Sequence, residues 1–311
     1  MKTKVKQVFV VSSLWVCMAC GGAASTTPAA ATTTPGTGPE YQIVLNRPLK
    51  AGDKFRIQVE AKEQISGDDA VSGGTASTSN AISRNTELSL VGTIQIREVD
   101  ADGRATSALL QIEQFKDTAA GKDIVPTGTS IDAVLGQGKF SMMVNGEPRA
   151  DLQRPLRLAF PLHRPGSPMG DELFGSKTPR QVGDTWAFAK SNVAESMLDE
   201  GYRVQETAIN GDTKLMGTTN VGGNECLELR STLNADQATI DDQWDVQGIG
   251  NGKVTATIKM VVPTDTALPV AMEETTTKGE FAVHLQGDNA ASQTAITLTR
   301  SRRALYTKMA Q

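Results

Sequence analysis

Pro179-Arg180-Gln181-Val182-Gly183-Asp184-Thr185-Trp186 decides how this chain folds, because its pattern, Pro-x-x-x-Gly-Asp-x-aromatic, already stands once before it, at Pro48, Gly52, Asp53 and Phe55. In each copy proline disfavours helix, Gly-Asp supplies a turn, and an aromatic residue opens an extended run, so each copy reads as the entrance to a β-sheet. The element is an internal repeat, and Asp53 and Asp184 read as turn residues that accept backbone N–H bonds.

Working outward from the first copy, Phe55, Ile57, Val59 and Ala61 alternate with Lys54, Arg56, Gln58, Glu60 and Lys62, the period of a strand with one core face and one wet face. The run ends at Gly67-Asp68-Asp69, in a Gly/Ser/Thr-rich loop over residues 66–80. Leu88, Leu90, Ile94 and Ile96 then share a face up to Asp100-Ala101-Asp102-Gly103, and Ala108 to Phe115 resumes the extended pattern, which makes a hairpin. The two aspartates of that turn lack the further oxygen ligands of a calcium loop. Ser130 to Leu135 is expected to form one helical turn, capped by Ser130 and closed by Gly136. A strand from Phe140 to Val144 runs into a tight turn at Asn145-Gly146.

Residues 161–181 are rich in proline and glycine and form the best internal boundary in a β-rich body over 40–311; two motif-headed halves, 40–165 and 166–311, are one reading of it, and one continuous body is favoured because neither half has a clean linker around it. Past the second copy, Asn192-Val193-Ala194-Glu195 has capping-box spacing and begins a short helix to Leu198. Strands are expected at Tyr202–Ile209, Lys214–Thr219 and Glu225–Leu233. Val254, Ala256, Ile258, Met260 and Val262 face one way, then Val270–Thr277 and Phe281, Val283 and Leu285 continue the meander. A last strand, Ala295 to Tyr306, carries Arg300, Arg302 and Arg303 as outward charges guarding an edge. The expected fold is mainly β: long antiparallel curved sheets, as a half-barrel or a sandwich, with a few short helices.

The chain has 311 residues, 39% of them hydrophobic, and a formal net charge of -4, with no basic block to hold nucleic acid. Lys2, Lys4 and Lys6 precede the apolar run Val8 to Ala19, which has the length of a signal-peptide core and is too short for a permanent span. Residues 1–19 are expected to be removed. Residues 21–39 are uncharged and almost wholly Gly, Ala, Ser, Thr and Pro, a solvated tether with an end-to-end distance of roughly 25 Å.

Ala19-Cys20-Gly21-Gly22 resembles the lipobox of bacterial lipoproteins, with Cys17 where that family usually has leucine; an ordinary secretory signal with incidental cysteines is the competing reading. The resemblance implies cleavage before Cys20, acylation of Cys20, and sorting to the outer membrane because Gly21 is not aspartate. Lipobox, tether and Val182-Gly183-Asp184-Thr185-Trp186 with its meander together look like a group of uncharacterised bacterial envelope lipoproteins carrying a Pro-x-x-x-Gly-Asp-x-Trp motif. More distantly, long curved strands with few helices are similar to the half-barrel of LolA-type and LppX-type carriers, a resemblance of fold that makes lipid binding an analogy.

Catalytic chemistry is sought and not found. The two histidines, His163 in the proline-rich connection and His284 between Val283 and Leu285, read as ordinary surface residues. Adjacent carboxylates at Asp199-Glu200, Asp241-Asp242 and Glu273-Glu274 point to opposite faces of a strand, a poor way to build an acid/base pair. Cys226, in the alternating run Glu225-Cys226-Leu227-Glu228-Leu229, reads as a buried inert thiol. No catalytic residue, metal ligand or cofactor is assigned. Phe55, Trp186, Trp244, Met260 and Phe281 are candidates to line an apolar concavity, with plain core packing as the competing reading. The expected function is a non-enzymatic envelope lipoprotein held to the membrane by its acyl anchor and binding an apolar ligand or a protein partner. A scaffold role and, further off, a hydrolase with dispersed carboxylates stand as alternatives.

Overall fold

Strand β1 (Lys54–Asp69) shows the expected alternation: Phe55, Ile57, Val59 and Ala61 are buried while Lys54, Arg56, Gln58 and Glu60 are exposed. The computed structural model describes residues 38–47, 49–69, 82–136, 139–152, 155–156, 167–199, 201–240, 252–285 and 292–309. Along the first half follow β2 (Ile82–Val99), β3 (Ala105–Asp117), β4 (Lys122–Asp123), β5 (Ser130–Gly136), β6 (Lys139–Val144) and β7 (Glu147–Pro148). Then come helix α1 (Gly170–Phe174), β8 (Thr185–Trp186), helix α2 (Lys190–Asp199), β9 (Tyr202–Arg203), β10 (Ile209–Val221), β11 (Asn224–Ile240), β12 (Gly252–Pro263), β13 (Met272–Leu285) and β14 (Ser292–Lys308).

These strands make one curved, open antiparallel sheet in the order β7-β6-β5-β3-β2-β1-β14-β13-β12-β11-β10-β8, with β4 on β3 and β9 on β11. Each half is a meander, and the two meet where the first long strand pairs with the last, from Phe55↔Lys308 to Asp69↔Thr294. Two apolar clusters fill the inner face. One gathers Phe55, Ile57, Leu90, Ile96, Leu110, Phe115, Ile131 and Met142 from the first meander. The other gathers Trp186, Phe188, Leu215, Leu229, Val254, Met260 and Phe281 from the second, together with Val193 and Met197 of α2. Each fully buried Leu, Ile or Phe contributes about 1.5–3 kcal/mol of transfer free energy.

Ile43 and Leu45, ahead of the first turn, pack into the second cluster. They are pinned there: the Asp171 carboxylate accepts from the Leu45 and Asn46 amides, and Asn46 Oδ1 accepts from the Asp171 amide at 3.0 Å. Arg47 donates to the carbonyls of Pro263 (2.7 Å) and Asp265 (3.1 Å), tying the segment to the β12–β13 turn.

The two copies of the opening motif have the same construction. In the first, the Asp53 amide donates to Lys50 O (3.0 Å), the Lys50 amide donates to Asp53 Oδ2 (2.9 Å), and Gly52 sits at φ +92°. In the second, the Asp184 amide donates to Gln181 O (3.0 Å), the Gln181 amide donates to Asp184 Oδ2 (2.9 Å), and Gly183 sits at φ +97°. Only glycine takes that backbone without strain. Each turn then docks on its neighbour: Gly52 N to Ile96 O and Ile96 N to Asp53 O, against Gly183 N to Leu215 O and Leu215 N to Asp184 O.

Several expectations need correction. Ser130–Gly136 is a strand and not a helical turn, because Ile131 and Ala133 alternate into the core and pair on both sides, with β3 and with β6, which outweighs local capping. The last strand is not an edge: β14 lies between β1 and β13, and Arg300 and Arg302 point inward while Arg303 is exposed. Tyr202–Ile209 is a two-residue strand and a short 3-10 turn before β10 begins at Ile209. The Trp186 strand is likewise only two residues long, whereas β1 continues to Asp69, further than the loop expected from residue 66. The hairpin β2–β3 forms as expected, with a register shift between Val91 and Gly92.

Candidate functional site

Period two carries one more residue of β1 onto the inner face. After Phe55, Ile57, Val59 and Ala61 comes Glu63, fully buried, opposite Arg300 in the register of β14. Arg300 Nε donates to Glu63 Oε2 at 3.0 Å, and its side chain is 13% exposed. Two residues on, Arg302 reaches Glu273 Oε1 of β13 at 2.8 Å. The Arg300 guanidinium lies 5.7 Å from the centre of the Tyr202 ring, which stacks on Phe281 at 6.1 Å with planes 9° apart. Tyr306, two positions beyond Ala304 on the same face, has a half-buried ring and a hydroxyl closed off from water without a hydrogen-bond partner. Burial pushes that hydroxyl up to about 12, against the pull of Arg302 and with the push of Glu273.

This polar belt lies between the two apolar clusters. Its two guanidiniums face two carboxylates, so the charges balance. Arginine does not titrate in the working range, so the belt is suited to fixing the registers of β1, β14 and β13 and not to shuttling protons. Among the candidates named from sequence, Phe55 packs in the first cluster, and Trp186, Met260 and Phe281 in the second, each under a tenth exposed. Trp186 Nε1 donates to Phe174 O at 3.0 Å, and Arg180 stands 5.2 Å over its ring. The fold therefore brings three of these side chains into one cluster and leaves Phe55 in the other. Trp244, Cys20 and His163 lie outside the described residues.

Asp53 and Asp184 are turn acceptors, as read from sequence. Cys226 is buried, and desolvation pushes its thiol up, away from the reactive thiolate. Glu273 and Glu274 diverge as neighbours on a strand must, Glu273 to Arg302 and Glu274 into register with Arg303. Among the described residues no group of three or more His, Cys, Asp or Glu side chains is placed to hold a metal ion. Two depressions of about 180 and about 370 Å³ share Thr93 and Gln111 on the outer face of β2 and β3, away from the aromatic side chains. Sequence reasoning missed the belt, although a signal was present: Glu63 occupies the apolar parity of β1.

No family model matches the chain, and no curated protein sequence is similar to it. Among solved structures it is similar to lipovitellin, in a study of that protein's lipid interactions, at 11% identity and a TM-score of 0.33, over 83% of this chain and 25% of the other. It thus spans about a quarter of lipovitellin's length. A DUF1329 family protein from Desulfovibrio piger is also similar, at 11% identity and a TM-score of 0.19, over 81% of this chain and 84% of the other. At these scores neither similarity supports an inference about what this chain does.

Proposed function

We propose that the protein is a non-enzymatic lipoprotein of the cell envelope, acylated at Cys20 and held at the outer membrane by residues 21–39, whose β body binds an apolar ligand or a protein partner. One observation carries the anchor: an apolar run that closes on Ala19-Cys20-Gly21-Gly22 and passes directly into an uncharged stretch before the folded body. An acyl chain with a flexible tether is a means of presenting a domain at a bilayer surface.

The body supports the binding half of the reading through what its side chains are used for. Phe55, Trp186, Met260 and Phe281 are spent on packing, which favours a partner received at the surface of the sheet over a ligand enclosed within it.

Labelled palmitate is expected in the wild type and absent from Cys20→Ala, which leaves the membrane fraction; equal labelling of both would overturn the anchor. Native mass spectrometry after mild extraction separates the two binding modes. A co-purifying lipid mass identifies an apolar ligand, and a bare chain leaves the protein partner.

A further inference from the structure

The strands that receive the two turns differ in what lies beyond the docking residue. After Ile96, β2 continues with Arg97 and Glu98, both exposed, Arg97 paired with Asp132 at 2.7 Å, and the Leu49 amide covers its tip by donating to Gly103 O. After Leu215, β10 continues as Met216-Gly217-Thr218-Thr219-Asn220-Val221, with no charge and no proline. β8 pairs with β10 only at Thr213 and Lys214, and the turn reaches no further than Leu215. From Met216 to Val221, no described residue hydrogen-bonds to the backbone on the side away from β11. Met216 is 44% exposed, Val221 42%, and Val182, on the adjoining turn, 50%. A Cβ placed on Gly217 meets nothing within 4 Å.

Sheet edges are ordinarily protected by charge, by proline, or by being very short. The opposite end of this sheet is protected in that way: β7 is the two residues Glu147–Pro148, ending in proline. The β10 edge has none of these devices, although its counterpart in the first copy of the repeat is charged and covered.

We propose that Met216–Val221 pairs antiparallel with the same segment of a second copy of the chain, forming a two-fold dimer. An open strand edge is complementary in hydrogen bonding to another extended strand, and a two-fold axis sets the segment against itself. A segment without charge then opposes no like charges, and the exposed Met216 and Val221 side chains are covered. Because each copy gives the same segment to the pairing, both open edges are used up and the assembly closes at two copies. The pairing requires nothing of the acyl anchor.

Sedimentation equilibrium of the purified full chain in detergent, from about 1 μM to about 1 mM, reads the result. The protein mass is expected to double with concentration. Met216→Lys with Val221→Lys, both at exposed positions, should raise the dissociation constant at least about tenfold while the melting temperature holds, and Cys20→Ala should leave that constant unchanged. A chain that stays monomeric throughout, or a dimer indifferent to the two lysines, overturns the pairing whatever the fate of the anchor.

Discussion

Tyr306 places a hydroxyl without a partner beside Arg302 and Glu273, and burial holds its ionisation up at about 12. Below the unfolded value of about 10 the group is neutral in both states and adds no pH dependence. Above it the unfolded chain ionises first, so stability should fall as pH climbs from about 10 through about 12. Denaturant titrations at about pH 9 and about pH 11 check this. Tyr306→Phe should remove this residue's share of the loss between them, with the buried Cys226 thiol still contributing, and at neutral pH change stability by no more than about 1 kcal/mol, since no hydrogen bond is broken. Residues of this kind are hard to read from sequence. Arg300 and Arg302 carry the charges of an edge strand but share the parity of buried Ile296, Leu298 and Ala304, and Glu63 and Glu273 neutralise them on that inner face.

Among the elements, the two Gly-Asp turns were fully legible, since φ above zero at glycine and a side-chain acceptor three residues after the turn begins are local requirements. Asp53→Ala and Asp184→Ala should each cost about 1 kcal/mol, measured by urea unfolding. The first should cost more, because Asp53 is buried and lies 3.5 Å from Lys308. A neutral effect at either position would mean that the backbone bonds alone hold the turn. The long alternating strands were equally legible. Ser130–Leu135 was not: its capping signals are local, whereas the strand that forms is decided by β3 and β6 on either side.

For the whole molecule, the ion pair between Glu63 and Arg300 stands at the seam of the two meanders, on the strands that join them. Glu63→Gln leaves the guanidinium without its carboxylate and should destabilise the fold by about 3–5 kcal/mol. Replacing both partners, with Glu63→Leu and Arg300→Met, should recover most of that loss, because the desolvation cost then disappears with the attraction. Equal stability of Glu63→Gln and wild type would show that the pair contributes nothing to the join. The single sheet and its strand order could not be read from alternation, which fixes faces and leaves neighbours open. Alternation likewise puts Glu63 on the inner face of β1 without saying that Arg300 stands opposite it.

Because Phe55 meets Lys308, the middle of the sheet is stitched from two strands that stand far apart along the sequence. Until residues near 308 have emerged from whatever channel delivers them, β1 has no mate on one flank and the first cluster lacks Ala304. Joining the two meanders therefore waits on a strand far removed in sequence, and pairing of that kind forms slowly.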